Sequence, residues 1–385
     1  MKMLFSFFGF ALLALILSGC ATNATKSNTL HLSQEYYNYL QPTFADYLAV
    51  TQDWLAENRD FISDDHQKEL DMNMPFELKP TQQTDKAILL VHGLSDSPFS
   101  FSDLANSLVK QGFYVQVLLL PGHGSKPDDM MLTGYQDWQN IVDHYADLLK
   151  QEYGQVWLGG FSTGGNLVTI HALDQGDIEG LLLFSPGFQS VTPKLEKFTP
   201  LLAAFWDGYK TEETNLTRYN SAPLNGAIAY SRSASILRQR LKEVQVKIPT
   251  LISISEADSI IDANAVKRLF KTRFNNPKNQ LIWYGKETAQ SIQIKALSMM
   301  LAEHKISTGS HMSPIFAPSN TYYGEEGEMR ICENGFESEE IEACFQGEQV
   351  WFSAWGYHEV GKVHARLTWN PYYSELEQDI SRLTH

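Results

Sequence analysis

Positive charge falls short of negative charge in this sequence, and cysteine is scarce. Thirty Lys and Arg stand against 45 Asp and Glu, a formal charge of −15. So acidic a surface repels a phosphate backbone, which argues against nucleic acid as a partner. It accommodates an uncharged or cationic small molecule more easily than an anion. Only three cysteines occur, and nothing around them has metal-ligand spacing, so neither a small disulfide scaffold nor a metal site is expected. No internal repeat is present, which excludes a solenoid or propeller. What is there, 385 residues of which 43% are hydrophobic and 12% aromatic, has the composition of a folded chain. An α/β fold can absorb that length as one domain with insertions.

The one long apolar run, residues 3–17, follows Lys2 at the amino terminus. It is shorter than the roughly 20 residues of a membrane span and fits the hydrophobic region of a secretory signal. It ends in Leu17-Ser18-Gly19-Cys20, which resembles a bacterial lipoprotein signal. The resemblance implies removal of residues 1–19 and lipidation of Cys20. Ala21, where an Asp would favour the inner membrane, implies outer-membrane anchoring with the chain facing the periplasm. Residues 20–33 are polar and read as a tether. Loss of the signal removes Lys2 and no acid, so the mature chain is more acidic still. In an oxidising periplasm Cys332 and Cys344, flanking an acidic loop of eleven residues, are expected to form a disulfide contributing roughly 3 kcal/mol. Two free thiols are the alternative.

Residues 34–385 read as one domain. A helical pattern, divided or kinked by Pro42, runs over 33–62. Apolar runs at 87–91, 113–120, 155–159, 181–184 and 250–254 suit buried parallel strands. Helical stretches at 100–111, 138–151 and 165–173 alternate with them, which predicts a mostly parallel sheet with helices on both faces. Residues 296–304 and 371–383 also read as helical. The alternation pauses over 186–245, taken as an inserted cap, and an acidic, Cys-bearing insertion covers 322–352.

The strongest chemical signal is Gly160-Phe161-Ser162-Thr163-Gly164. An apolar strand precedes it and a helix with small residues follows, the context in which G-x-S-x-G lifts a serine hydroxyl above a sheet. A glycine-rich phosphate loop would need a Walker lysine, which is absent. Backbone N–H groups of Leu94, after Val91-His92-Gly93, and of Thr163 are placed to form an oxyanion hole. Asp96 and Ser97 are expected to shape that loop. His92, and His123 in Pro121-Gly122-His123-Gly124, read as turn-setting residues. A serine nucleophile needs a base and an acid. Asp258, just past the strand at 250–254, is the preferred acid, and Asp262 the runner-up. His311, in a loop assumed flexible, is the preferred base, ahead of His358. His304 falls in a stretch read as helix.

At these residues the sequence resembles an α/β-hydrolase, in the carboxylesterase and monoacylglycerol lipase-like group also classed with serine aminopeptidases. The similarity covers residues 87–173 and resumes at Ile248-Pro249-Thr250 and Asp258. The resemblance implies a Ser162–His311–Asp258 triad, the Leu94 and Thr163 oxyanion hole, and hydrolysis of acyl esters without a cofactor. The long interval from Asp258 to His311 implies an insertion between Tyr284 and Ser307. The apolar cap suggests an acyl chain, from a monoacylglycerol, a lysophospholipid or a small ester. Two alternatives stay open: an aminopeptidase using Glu212 or Glu213 to hold an ammonium, and a non-catalytic envelope interaction module.

Overall fold

The buried apolar runs assemble into an eight-stranded sheet. The computed structural model describes residues 36–196, 206–286, 290–335 and 338–385. The signal, Cys20 and the tether lie outside the described residues. The strands are β1 (Phe76–Leu78), β2 (Lys86–Val91), β3 (Tyr114–Leu118), β4 (Gln155–Phe161), β5 (Gly180–Phe184), β6 (Thr250–Ser255), β7 (Gln280–Gly285) and β8 (Ile294–Ser298). Their spatial order is β1-β3-β2-β4-β5-β6-β7-β8. Only β1 is antiparallel to its neighbour. The fold is an α/β-hydrolase fold.

Alternation along each strand divides the core in two. Leu89, Val91, Leu158, Leu183 and Ile252 pack on one face, and Ile88, Leu90, Trp157, Leu182 and Leu251 on the other. The first face is covered by α1 (Phe44–Asn58), α4 (Tyr135–Glu152), α5 (Thr163–Gln175), α6 (Leu224–Glu243) and α7 (Ala263–Arg273), through Tyr47, Trp138, Leu167, Leu237 and Val266. The second is covered by α3 (Ser102–Lys110) and the terminal helix α9 (Tyr373–Thr384), through Leu104, Leu108, Leu376 and Ile380. A sheet buried on both faces explains why its strands read as unbroken apolar runs.

Register puts the functional loops at one edge. Val91 pairs with Leu118 on one side and Gly160 on the other, and Phe161 pairs with Phe184, which pairs with Ser253. The carboxyl ends of β2 to β6 are therefore level, and the segments leaving them converge. Ligand sites of open parallel sheets form there.

Three stretches differ from the sequence reading. Pro42 does not kink a helix: α1 begins only at Phe44, with Thr43 as N-cap accepting from the Asp46 N–H at 3.1 Å. Residues 36–40 instead pack Tyr36 and Tyr39 onto the core. Residues 296–304 are not a helix. Ile294–Ser298 pairs in parallel with β7, and Ala302–His304 is a single 3-10 turn closed by Lys305 at φ +52°. Pairing with an exposed sheet edge outweighs the helix propensity of Ala, Leu and Met. The region 186–245 divides. Leu237 and Leu241 of α6 belong to the main core, whereas the start of α6 lies over the site, where a Cβ on Gly226 would meet Leu94 Cδ1 at 2.9 Å.

In the insertion Glu328 is bound to Lys68 of α2 (His66–Asn73), and α8 (Ser338–Phe345) is followed by β9 (Val350–Ser353), which pairs in parallel with β10 (Val363–Arg366), a strand beyond the bounds read from sequence. The Cys332 and Cys344 sulfurs are bonded to each other within a small apolar cluster with Val350 and Ala365. Among the described residues no helix is long and apolar enough to cross a membrane.

Candidate active site

Ser162 sits between β4 and α5 with φ +50° and ψ −114°, a backbone conformation unfavourable for an L-residue. Main-chain bonds hold it there. Its N–H donates to Phe184 O at 3.0 Å, and its carbonyl accepts from Gly187 N–H at 2.8 Å and Gly165 N–H at 3.1 Å. The flanking glycines are required by contact. A Cβ on Gly164 would lie 2.0 Å from Val91 O, and one on Gly160 would lie 2.4 Å from Gly164 C. Because backbone is struck, neither collision can be relieved by a rotamer. Gly164→Ala is therefore expected to destabilise by roughly 3–5 kcal/mol. A thermal melt within 1 °C of wild type, a shift smaller than about 1 kcal/mol for a chain this size, would refute that account.

Asp258 and His311 come from different parts of the chain and meet. His311 Nδ1 lies 2.7 Å from Asp258 Oδ2, and Asp258 Oδ1 accepts from the N–H groups of Ile260 and Ile261, both at 2.9 Å. The Asp258 side chain is fully buried. A carboxylate so held accepts the hydrogen bond of Nδ1–H and leaves Nε2 as the basic nitrogen. The imidazole stands 5.0 Å, centroid to centroid, from the ring of Phe161, the residue before Ser162. The loop carrying His311 is pinned rather than loose. Ser185 Oγ donates to His311 O at 2.9 Å, Ser310 N–H to Ser313 Oγ at 3.0 Å, and the Ser310 hydroxyl to Leu367 O.

The loop after β2 presses on the nucleophile: a Cβ on Gly93 would meet Ser162 Cβ at 3.1 Å. Thr163 is the first residue of α5, so its N–H has no carbonyl one turn earlier to bond. The two nearby histidines set these loops. His92 Nε2 accepts from Leu120 N–H at 3.0 Å while Nδ1 approaches Gly93 O, and His123 Nε2 accepts from Ser95 N–H at 3.1 Å. Burial pushes His92 well below the usual imidazole range and His123 down to about 4, which keeps both neutral.

Asp96 is the unexpected titrating group. Burial pushes its carboxyl up from 3.8 to about 6, with Arg218 the largest opposing influence and His311 a smaller one. The folded state therefore binds more protons than the unfolded state between these values, so stability contributed by Asp96 falls as pH rises through that window. Asp96→Asn is expected to stabilise the protein at pH 8 by about 1–3 kcal/mol, with the gain vanishing near pH 3.5. Denaturant midpoints of both proteins at the two pH values check this, and equal midpoints at pH 8 would refute it.

The other candidates are engaged elsewhere. Asp262 caps α7, accepting from Ala265 N–H at 2.8 Å, and His358 pairs with Glu340 at 3.3 Å. His304 pairs with Glu325 at 3.1 Å. Both oxygens of Glu213 accept backbone N–H groups, from Asn220 at 2.6 Å and Ser221 at 3.0 Å. Sequence reasoning missed Arg218, whose Nη1 lies 3.0 Å from Met312 Sδ beside His311. It stands in Asn-Leu-Thr-Arg-Tyr, which matches no motif and offers no periodic signal.

Comparison with known proteins finds relatives of the chain. Residues 82–286 match the family described as serine aminopeptidase, S33. The thermostable monoacylglycerol lipase of Bacillus sp. (strain H-257) is 25% identical over 189 residues, covering 48% of this chain and 75% of that protein. A carboxylesterase of Bacillus subtilis (strain 168) is 33% identical over 82 residues, covering 21% of this chain and 33% of that one. Among solved structures, the monoacylglycerol lipase of Paleococcus ferrophilus is 17% identical with a TM-score of 0.45, over 59% of this chain and 91% of that one.

Proposed function

The chain belongs to the serine aminopeptidase S33 family, and from that membership and the site geometry we propose that it acts as a carboxylic ester hydrolase with Ser162 as nucleophile. The observation that carries the reading is the contact of 2.7 Å between His311 Nδ1 and a buried, doubly hydrogen-bonded Asp258, at the same sheet edge as a serine on a strained strand-to-helix turn. His311 Nε2 takes the hydroxyl proton as Ser162 Oγ attacks the ester carbonyl. Asp258 fixes the tautomer and stabilises the imidazolium, and the Leu94 and Thr163 N–H groups receive the oxyanion. The proton passes to the departing alcohol oxygen, leaving an acyl-enzyme that water hydrolyses by the same steps in reverse.

The substrate is a small acyl ester, of the monoacylglycerol or lysophospholipid kind. Similarity to a protein named as a monoacylglycerol lipase supports this, as does the apolar start of α6 over Leu94. Of the two acids that could hold a peptide amino end, Glu213 already satisfies two backbone N–H groups and Glu212 is exposed, so no buried carboxylate is left to hold an ammonium there. A fluorophosphonate probe should label Ser162 alone, and the enzyme should turn over acyl esters far faster than proline arylamides. The reverse preference would return the aminopeptidase reading.

We place the chain in the bacterial envelope, anchored to the outer membrane by lipid on Cys20 and facing the periplasm. The order of Lys2, the apolar run and Leu17-Ser18-Gly19-Cys20 supports this. Cys20→Ser should abolish incorporation of labelled palmitate and move activity from the membrane to the soluble fraction. Membrane retention of that variant would refute the anchor.

A further inference from the structure

Between residues 214–220 and the insertion at 327–347 lies a cavity of about 610 Å3 lined by Arg218, Arg330 and Arg366. Three guanidiniums on one cavity are unexpected in a chain whose net charge is −15. Among the described residues none of the three forms an ion pair. Their partners are neutral. Arg366 Nε donates to Asn334 Oδ1 at 2.7 Å and an Nη to Glu333 O at 3.3 Å, and Arg218 Nη1 reaches Met312 Sδ at 3.0 Å. Of the two acids lining the cavity, Glu328 is bound to Lys68 at 2.6 Å and Glu333 is exposed. Burial, reinforced by Arg218, pushes the Arg366 guanidinium down to about 9, the response of a cation short of counter-charge. Arg218 has the buried Asp96 nearby and Arg330 is exposed, so Arg366 is the half-buried guanidinium without an acid beside it; such a cation is costly, and the planar forks of all three match phosphate oxygens.

Two residues of the cavity wall contact the catalytic loops. Arg218 touches Met312, the neighbour of His311, and the N–H of Tyr219 donates to Ser95 O at 2.8 Å, one residue past Leu94.

We propose that this cavity binds the phosphate-bearing head of the acyl-ester substrate, so that the enzyme selects anionic lysophospholipids over neutral monoacylglycerols. The proposal rests on the ester-hydrolase reading and narrows its substrate class. In the reaction Ser162 Oγ bonds to the acyl carbon, the carbon–oxygen bond to the glycerol breaks, and the serine proton leaves with the glycerol oxygen. Water then releases the fatty acid, and glycerol phosphate departs from the arginines.

The test compares oleoyl lysophosphatidic acid with monooleoylglycerol, both below their aggregation concentrations, on the lipid-free mature chain. The anionic ester should have a kcat/KM at least tenfold higher, and glycerol 3-phosphate should inhibit competitively. Arg366→Gln and Arg330→Gln should each reduce the preference severalfold or more. Arg330 is exposed and makes no side-chain bond to the rest of the fold, so its variant reads out even if Arg366→Gln misfolds. Lys247→Gln, an equal charge change at the opposite end of the sheet, should leave the preference intact. Equal rates on the two esters, or a preference that Lys247→Gln reduces as much, would overturn the proposal. Inhibition by inorganic phosphate as strong as by glycerol 3-phosphate, without an ester preference, would also overturn it and assign the cavity to free phosphate. If no ester is hydrolysed, the ester-hydrolase reading fails by itself. Calorimetry with glycerol 3-phosphate then judges the cavity, for which binding by wild type and not by Arg366→Gln is required.

Discussion

Ser162→Ala is expected to lower ester turnover by roughly 10^5-fold while the protein stays folded. The hydroxyl does no structural work that the backbone does not already do. The turn is fixed by the bonds from Ser162 N–H to Phe184 O and from Gly187 N–H to Ser162 O, and alanine keeps both. Alanine also keeps the Cβ that packs against Gly93. The residual rate should come from substrate binding and the Leu94 and Thr163 N–H groups alone. Turnover of a chromogenic short-chain ester, with a thermal melt on the same sample, measures both halves of the claim. Activity above one-hundredth of wild type in a folded variant would mean that another group attacks the ester.

Much of this site was legible because its signals are local. Gly160 and Gly164 flank the serine in the same five-residue motif that forms the turn, and β2, β4, β5 and β6 each read as an apolar run because both faces of each are buried. Asp258 was preferred over Asp262 by its position just past β6, and the geometry gives the two residues distinct tasks, one on His311 and the other on the cap of α7. What was not legible depends on partners far away in sequence. Ile294–Ser298 carries residues that suit a helix, and only the open edge of β7 makes it a strand. The His311 loop looked flexible because Ser307, Thr308, Gly309 and Ser310 are loop-forming types. In the fold the Thr308 and Ser310 hydroxyls bond inward, and a Cβ on Gly309 would meet Ser255 Oγ at 2.5 Å. Arg218 and Arg366 are separated by the whole carboxyl-terminal half of the domain, and their shared cavity exists only after the insertion closes on residues 214–220. Overall charge pointed away from an anionic ligand because a sum over the chain cannot report where its few cations stand.

Asp258→Asn is expected to cost roughly 10^4-fold in kcat with little loss of substrate binding. The argument turns on which way the amide must face. Two backbone donors, Ile260 N–H and Ile261 N–H, both point at Oδ1. An asparagine can satisfy them only by placing its carbonyl oxygen there, which turns its NH2 toward His311 Nδ1. That nitrogen must then accept, and the ring proton moves to Nε2, where it blocks removal of the Ser162 proton. The fold keeps both bonds to Oδ1, so the melt should shift by only a few degrees. Asp262→Asn should behave in the opposite way: asparagine caps a helix about as well as aspartate, and activity should remain within threefold of wild type. Parallel kcat and KM measurements on the two variants separate them. If Asp262→Asn were the one that collapsed kcat, the carboxylate serving the base would be the one at the start of α7, and the path of the proton through His311 would have to be redrawn.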